Sequence, residues 1–336
     1  MIRPGLVYLK YLYYLFYFGS PLKIFNFFLN KIEMKTRRVY LRSMPVYVMI
    51  GVSDFCGLNC PGCPTGANMG EAIERKMMNF AQFKLIFDQV KKYIFNLNLF
   101  ILGEPFLNQE IFSMIEYASF NRCATTIHSN FNTFDEKMAE EAIKSGLTHI
   151  YLSIDGATQE VYEQYRKGGD LAKVFRNIEI MVKKKREMKS LFPLLTWKFL
   201  YFPHNFQEIE LARQTAKKLG VDLFKAFPGD IDNICSFGIR KRFDLKSKEI
   251  KTTRLRFCNE LWEYLLIHPD GSVVPCCHGF RKKDTFGNAY KNSLKEIRNN
   301  YDFVSLRKMI SLGRAEGIVR PPCSECKIID NLRSHN

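Results

Sequence analysis

Three cysteines stand close enough to act together: Cys56-Gly-Leu-Asn-Cys60-Pro-Gly-Cys63, spaced C-x3-C-x2-C. Three thiols in so short a run converge only in an irregular loop, and soft sulfur donors select iron–sulfur clusters or zinc. A cubane held by three protein thiolates keeps one iron open to an outside ligand, as a catalytic zinc keeps one open position. The spacing also fits a zinc knuckle completed by a distant His or Cys, or plain buried thiols. A second set, Cys258, Cys276, Cys323 and Cys326, ends in C-x2-C, which a zinc ribbon with four thiolate ligands would share. Cys277 competes with Cys276 for its place there, because adjacent thiols cannot be ranked from spacing. The chain has ten cysteines and no clear secretory signal, so metal or redox chemistry is expected ahead of disulfides.

Those side chains need a scaffold. Short apolar runs at 46–52, 97–102, 124–127, 149–154, 197–202 and 221–227 read as buried strands. Between them lie helical periods such as Phe80, Phe83, Phe87, Val90 and Ile94. Thr133 with Glu136 predicts a capping box, and Gly146 and Gly220 mark helix ends. A row of βα units predicts parallel strands with crossover helices, an α/β barrel or open sheet whose active site gathers at the strands' C-terminal ends. The first cysteine run follows the first strand directly. Cys123 sits at the mouth of a strand and reads as a small core residue. Cys235 falls in the loop after the sixth strand, beside Asp230 and Asp232, on the active-site side of the fold. After a basic stretch, residues 263–277 read as a hairpin turning at Pro269-Asp270-Gly271.

The formal charge is +16, from 50 Lys and Arg against 34 Asp and Glu. Such a surplus suits nucleic acid, an anionic membrane or acidic substrates. No stretch has the form of an RNP motif or a recognition helix, so nucleic acid is not the expected partner. Residues 1–44 hold eight Lys and Arg against Glu33 alone, so 8 − 1 = +7. They also hold two apolar runs, Leu6–Phe18 and Pro21–Ile32, neither reaching the roughly 20 residues that span a bilayer. In the second run Lys23, Asn26 and Asn30 share one helical face, and Leu22, Phe25, Leu29 and Ile32 another. This pattern predicts an extension lying on an anionic membrane surface, in an otherwise cytoplasmic protein, and a substrate carried there, lipid-linked. The competing expectation is a hydrophobic helix packed on the main domain.

The Cys56–Cys63 run resembles the radical S-adenosylmethionine (SAM) superfamily, and further elements agree in order. Gly103-Glu104-Pro105 ends the second predicted strand, where that family carries a GGEP element whose backbone meets the methionine amino group of SAM; Leu102 stands for the first glycine. Ser129-Asn130 is similar to the family's Thr-Asn-Gly stretch, with Phe131 in place of the glycine. Ser153-Ile154-Asp155-Gly156, continuing to Tyr165-Arg166, resembles the region of polar contacts to the SAM ribose and carboxylate. Gly62 departs from the pattern, since relatives usually place an aromatic or large apolar residue there beside the adenine. The second cysteine set, with Phe286-Gly287-Asn288 where the family has Leu-Gly-Asn, resembles the twitch module, a shortened SPASM domain.

The resemblance implies a partial (βα)6 barrel over 45–230, a connector over 231–257 and a cluster domain over 258–330. It implies a SAM-binding [4Fe–4S] cluster on Cys56, Cys60 and Cys63, and one auxiliary [4Fe–4S] cluster on Cys258, Cys276, Cys323 and Cys326. Gly103, Glu104, Pro105, Ser129, Asn130, Ser153, Asp155 and Arg166 would meet SAM. The implied chemistry is hydrogen abstraction by a 5′-deoxyadenosyl radical, with a flavodoxin or ferredoxin and its reductase as electron donor. The outcome is an oxidation with the auxiliary cluster as electron acceptor or, as the alternative, a redox-neutral epimerisation with Cys235 as hydrogen donor.

Overall fold

Each of the six apolar runs carries a strand: β1 (Tyr47–Ile50), β2 (Asn96–Asn98), β3 (Ala124–Ser129), β4 (His149–Ser153), β5 (Leu194–Tyr201) and β6 (Leu223–Pro228). They pair in that order, all parallel. The structure, a computed structural model, describes residues 16–65, 75–229, 239–254, 257–276, 279–314, 319–326, 328–329 and 332. Cys235, Cys277, Asp230, Asp232 and most of the first apolar run lie outside the described residues. The helices are α1 (Pro21–Lys35), α2 (Phe80–Phe87), α3 (Ile111–Phe120), α4 (Glu136–Lys144), α5 (Gln159–Tyr165), α6 (Leu171–Glu187), α7 (Ile209–Lys218), α8 (Glu260–Glu263), α9 (Leu294–Arg298) and α10 (Tyr301–Leu312).

The strands divide their side chains by the two-residue period. One face is apolar: Val48, Leu97, Ile127, Ile150, Leu195 and Trp197 are buried in one core with Phe83 and Phe87 of α2 and Val174 and Ile178 of α6. The register sets Asn98, Thr126, His128, Tyr151, Thr196 and Lys198 together on the other face. That inner wall is polar, unlike the branched aliphatic filling of a closed (βα)8 barrel.

Three features depart from the sequence reading. The capping box at Thr133 does not form; Asp135, immediately ahead of α4, accepts from the Met138 amide at 2.7 Å instead. A carboxylate one residue before the helix reaches its orphan amides and suits its dipole better than a hydroxyl two residues further out. The basic connecting stretch contains an antiparallel pair, β7 (Ile239–Asp244) and β8 (Glu249–Arg254). The hairpin of β9 (Tyr264–Ile267) and β10 (Ser272–Val274) turns as expected, with Gly271 at φ +82°. Yet β9 also pairs parallel with β1, so the hairpin and β11 (Gly287–Asn288) continue the barrel sheet in the order β11-β10-β9-β1-β2-β3-β4-β5-β6.

Helix α1 packs on the domain, but through its polar face. Lys23, Asn26, Asn30 and Glu33 are buried, while Leu22, Phe25, Phe28 and Ile32 point outward. Both expectations for this segment had its apolar face covered by protein or lipid and its polar face in water. The main chain it meets explains the inversion. Lys23 Nζ donates to the carbonyls of Phe18 and Arg122 at 3.1 and 2.6 Å. Asn26 donates to the carbonyls of Met44 and Tyr93 and accepts from the Met44 amide. Glu33 accepts from the amides of Arg42 and Ser43 and from the Ser43 hydroxyl at 2.6 Å. These are loop groups at the strands' N-terminal ends that no ladder satisfies, and polar side chains satisfy them.

Candidate functional site

The three-cysteine loop leaves the C-terminal end of β1 and is gripped by its neighbours. The Asn59 amide donates to the Lys167 carbonyl at 2.9 Å, and the Glu104 amide to the Phe55 carbonyl at 2.7 Å. Gly103 sits at φ +68°, where a Cβ would stand 2.2 Å from the Ser53 carbonyl oxygen, so only glycine lets the strand-two loop pass this close. The Gly103 amide donates to Thr65 Oγ1 at 3.3 Å. The Gly-Glu-Pro element and the cysteine loop are thus one interlocked unit.

Within it, donors converge on sulfur. Asn130 Nδ2 lies 3.5 Å from Cys56 Sγ, and the Leu58 amide donates to the same sulfur at 3.4 Å. An Arg166 guanidinium nitrogen lies 3.8 Å from Cys60 Sγ. Burial pushes the Cys56 thiol up to about 11, with Glu104, Cys60 and Cys63 adding to the rise. Metal binding removes such a penalty by taking the thiolate. All described cysteines are free thiols, and the set offers sulfur with amide and guanidinium donors around it. That chemistry fits an iron–sulfur cluster, whose charge and potential are set by hydrogen bonds to sulfur. Among the described residues no His, Cys, Asp and Glu group closes into a ready coordination sphere.

Two carboxylates expected to meet SAM, Glu104 and Asp155, are buried and bonded to groups of the chain itself. Glu104 is buried; it accepts from the Asn130 amide at 2.8 Å and the Phe106 amide at 3.2 Å, and bonds the Ser129 hydroxyl. Burial holds it near 7, above the ordinary carboxyl value, against those hydrogen bonds. Asp155 is fully buried and holds Arg166 Nε at 2.7 Å while accepting from the Leu200 amide at 2.6 Å. The chain Asp155–Arg166–Cys60 therefore ties the fourth strand end to the cysteine loop. Phe131, standing where relatives carry glycine, takes the left-handed conformation at φ +61°. It is held by stacking on Phe134 at 4.1 Å and by Asn177 donating to its carbonyl at 2.8 Å.

Below the loop, the inner wall presents Ser153 at the end of β4, in register with Lys198 on β5. The rings of Phe100, His128, Tyr151 and His149 lie in succession with centroids 3.8, 4.6 and 4.3 Å apart, the outer two pairs stacked and the His128–Tyr151 pair tilted. Burial and the nearby Lys198 charge hold His128 well below the ordinary imidazole value, so it is neutral at pH 7. Burial also lowers Lys198, with Asp155 opposing and Arg166 assisting. Sequence reading missed Lys198, Thr65 and Asn205. Asn205 is fully buried and donates to the carbonyls of Asp155 and Leu200, both at 2.9 Å. The alternation in Thr196-Trp197-Lys198-Phe199 was the available signal for Lys198.

In the second set, Cys258, Cys323 and Cys326 feel one another's charge, and burial pushes Cys258 up to about 12. Cys276 lies two residues past β10, its carbonyl accepting from the Gly279 amide at 3.0 Å. Cys123 is buried in the core, as expected.

A parallel partial barrel with a thiol loop at its C-terminal mouth and a polar inner wall defines a cofactor-dependent α/β enzyme scaffold. A family model of the Radical SAM superfamily matches residues 50–196, and one of the SPASM iron-sulfur cluster-binding domain matches 258–327. The chain is a radical SAM protein with a C-terminal SPASM-type domain, and it takes a SAM-binding [4Fe–4S] cluster, auxiliary cluster and SAM. It is similar to GTP 3′,8-cyclase of Clostridium botulinum, 30% identical over 139 residues, 40% of this chain and 42% of that protein. The chain thus spans about two fifths of the length of the curated relatives it matches. Among solved structures, Streptococcus suis SuiB bound to S-adenosylmethionine superimposes with a TM-score of 0.64 at 15% identity, covering 89% of this chain and 74% of that one. Native anSMEcpe with bound AdoMet gives 0.59 at 16% identity, covering 84% and 86%. BtrN in complex with AdoMet and 2-DOIA gives 0.52 at 16%, covering 80% and 88%. These likenesses are of fold. No helix among the described residues is long and apolar enough to cross a membrane.

Proposed function

We propose that this radical SAM enzyme dehydrogenates a polar substrate bound against the inner wall of the barrel. The barrel would span 45–230 and the cluster domain 258–330. The supporting observation is the wall itself: Lys198, neutral His128, Tyr151 and Ser153 share its polar face, and Lys198 and His128 lie near enough to Arg166, beside Cys60, to feel its charge. Cys56, Cys60 and Cys63 would hold the SAM-binding cluster, and Cys258, Cys276, Cys323 and Cys326 the auxiliary one. When bound, SAM and the clusters supply a 5′-deoxyadenosyl radical that takes a substrate hydrogen, and an acceptor for the second electron. A flavodoxin or ferredoxin with its reductase would deliver the first electron.

The chain's own residues orient and move protons. The Gly103–Pro105 backbone, fixed by Phe55 and Thr65, would meet the SAM amino group. Glu104 would act by holding Asn130 in place, and Asp155 by holding Arg166 against Cys60. Lys198, its basicity lowered by burial, would accept the proton that an oxidised hydroxyl or amine releases. Redox-neutral epimerisation is the alternative outcome, with Cys235 as the donor. The same reading puts the enzyme at the cytoplasmic face of an anionic membrane.

The test is anaerobic reconstitution followed by iron, sulfide and deoxyadenosine analysis. Two clusters give roughly eight irons per chain. A Cys56→Ala/Cys60→Ala/Cys63→Ala variant should keep about half of that iron and form no deoxyadenosine. Zinc in place of iron at the second set would end the electron-acceptor role. Deoxyadenosine formation driven by GTP would replace dehydrogenation with the chemistry of the cyclases.

A further inference from the structure

We infer that the outward face of α1 docks on the headgroup–acyl boundary of an anionic bilayer and holds the barrel with its cysteine loop turned away from the lipid. The inference rests on the membrane-surface reading above and adds the docking element and the orientation.

Helix α1 breaks the ordinary rule that a surface helix buries its apolar stripe. Phe25, Phe28 and Ile32 are 63, 60 and 58% exposed, and Leu22, Phe16 and Tyr17 continue the stripe in solvent. The helix is not loosely laid. Asn30 donates to the Trp262 carbonyl at 2.7 Å and to Ser43 Oγ at 3.0 Å, and Lys31 pairs with Glu263. Arg122 grips the Tyr17 carbonyl at 2.9 Å, and Phe120, two residues before it, is the most exposed of the described large apolar side chains. An apolar stripe fixed outward by buried hydrogen bonds on its other side is a docking surface, not a helix awaiting a better fit.

Charge and composition select the partner. Lys35, Arg37, Arg38 and Arg42 are exposed at the end of the stripe, and residues 1–15 lead into Phe16 with more of the same mixture, including Arg3 and Lys10 among Leu, Val and Tyr. Aromatic rings flanked by cations suit an anionic interface, where the rings sit at headgroup level.

Orientation follows from the partners of the buried face. Tyr93, Arg122 and Met44, whose carbonyls take the bonds from Asn26 and Lys23, precede β2, β3 and β1. Helix α1 therefore lies under the strands' N-terminal ends, opposite the cysteine loop. A six-residue strand such as β3 is about 20 Å long, so a substrate on a short lipid tether would not reach the catalytic mouth.

The test uses the full, reconstituted chain with phosphatidylcholine vesicles, with and without phosphatidylserine. Wild type should pellet with the serine lipid, less so as salt rises. A Phe25→Glu/Phe28→Glu/Ile32→Glu variant should lose vesicle affinity at least roughly tenfold while keeping its iron and thermal transition. For a non-disruptive readout, Phe28→Trp should show blue-shifted emission and quenching by brominated lipid, since the native Trp197 and Trp262 are fully buried. If wild type ignores vesicles, the membrane reading itself fails. If wild type pellets and the triple variant pellets equally, the reading stands and the docking face is overturned in favour of residues 1–15. If the stripe instead joins two chains, wild type will be a dimer that the triple variant splits, with no change in emission on lipid, and the inference is likewise overturned.

Discussion

Helix α1 and the inner wall of the barrel both set polar side chains inside the protein, and they differ in how those groups are used. On α1, Lys23, Asn26 and Glu33 spend their donors and acceptors on loop main chain at 2.6–3.2 Å. On the wall, the side chains of Lys198 and His128 make no hydrogen bond to a described residue, although burial perturbs both. A buried polar group with its bonds made is structure, and one held ready without them is a candidate for chemistry. The two regions should therefore answer mutation in opposite ways.

The largest expected effect is on the wall. Lys198→Met should lower substrate-coupled turnover by about 10²–10⁴-fold, the usual range for a positioned acid or base, and leave the thermal transition unchanged or raised. Deoxyadenosine released without product would show the radical step running uncoupled. A transition falling by several degrees would instead class Lys198 with the residues of α1. Next is Glu33→Ala, which strands the amides of Arg42 and Ser43 and the Ser43 hydroxyl. Chemical denaturation should show a loss of about 3 kcal/mol, while kcat per folded, iron-loaded enzyme stays the same. A stability change within a few tenths would mean that water satisfies those groups and that α1 is not structural.

The smallest effect concerns Phe131 beneath the cysteine loop. Phe131→Ala and Phe131→Gly both remove the ring, but only glycine also relieves the left-handed backbone. The glycine variant should be the more stable of the two by about 1 kcal/mol. The reverse order would show that the φ of this residue relaxes once the ring is gone.

Much of the fold was legible because buried parallel strands are short apolar runs bounded by turns, and all six were placed. The cysteine loop was legible because three thiols at that spacing admit few chemistries. What escaped was direction. Periodicity gives α1 two faces but does not say which is covered, since that depends on unsatisfied carbonyls at Met44, Tyr93 and Arg122, far off in sequence. The inner wall escaped for a related reason. His149-Ile150-Tyr151-Leu152-Ser153 alternates visibly, yet only the register of the assembled sheet shows which polar residues share its inner face. Asp155 follows β4 by two residues, whereas β2 stops at Asn98 and leaves Glu104 in the loop beyond it; whether either carboxylate points to a ligand or to its neighbour's amide is a matter of a single rotamer.

The buried face of α1 also sets a timetable. Asn30 finds its carbonyl partner at Trp262, 232 residues further along the chain. At about 5–20 residues per second, roughly 12–46 s of synthesis separate the two. Through that interval Asn30 and Lys31 lack their partners at Trp262 and Glu263, while the groups that meet Asn26 and Glu33 from Arg42, Ser43 and Met44 are already made. A nascent chain in that condition presents the apolar side of α1 before its barrel is complete, so under the membrane reading lipid could cover that side before Trp262 reaches the other.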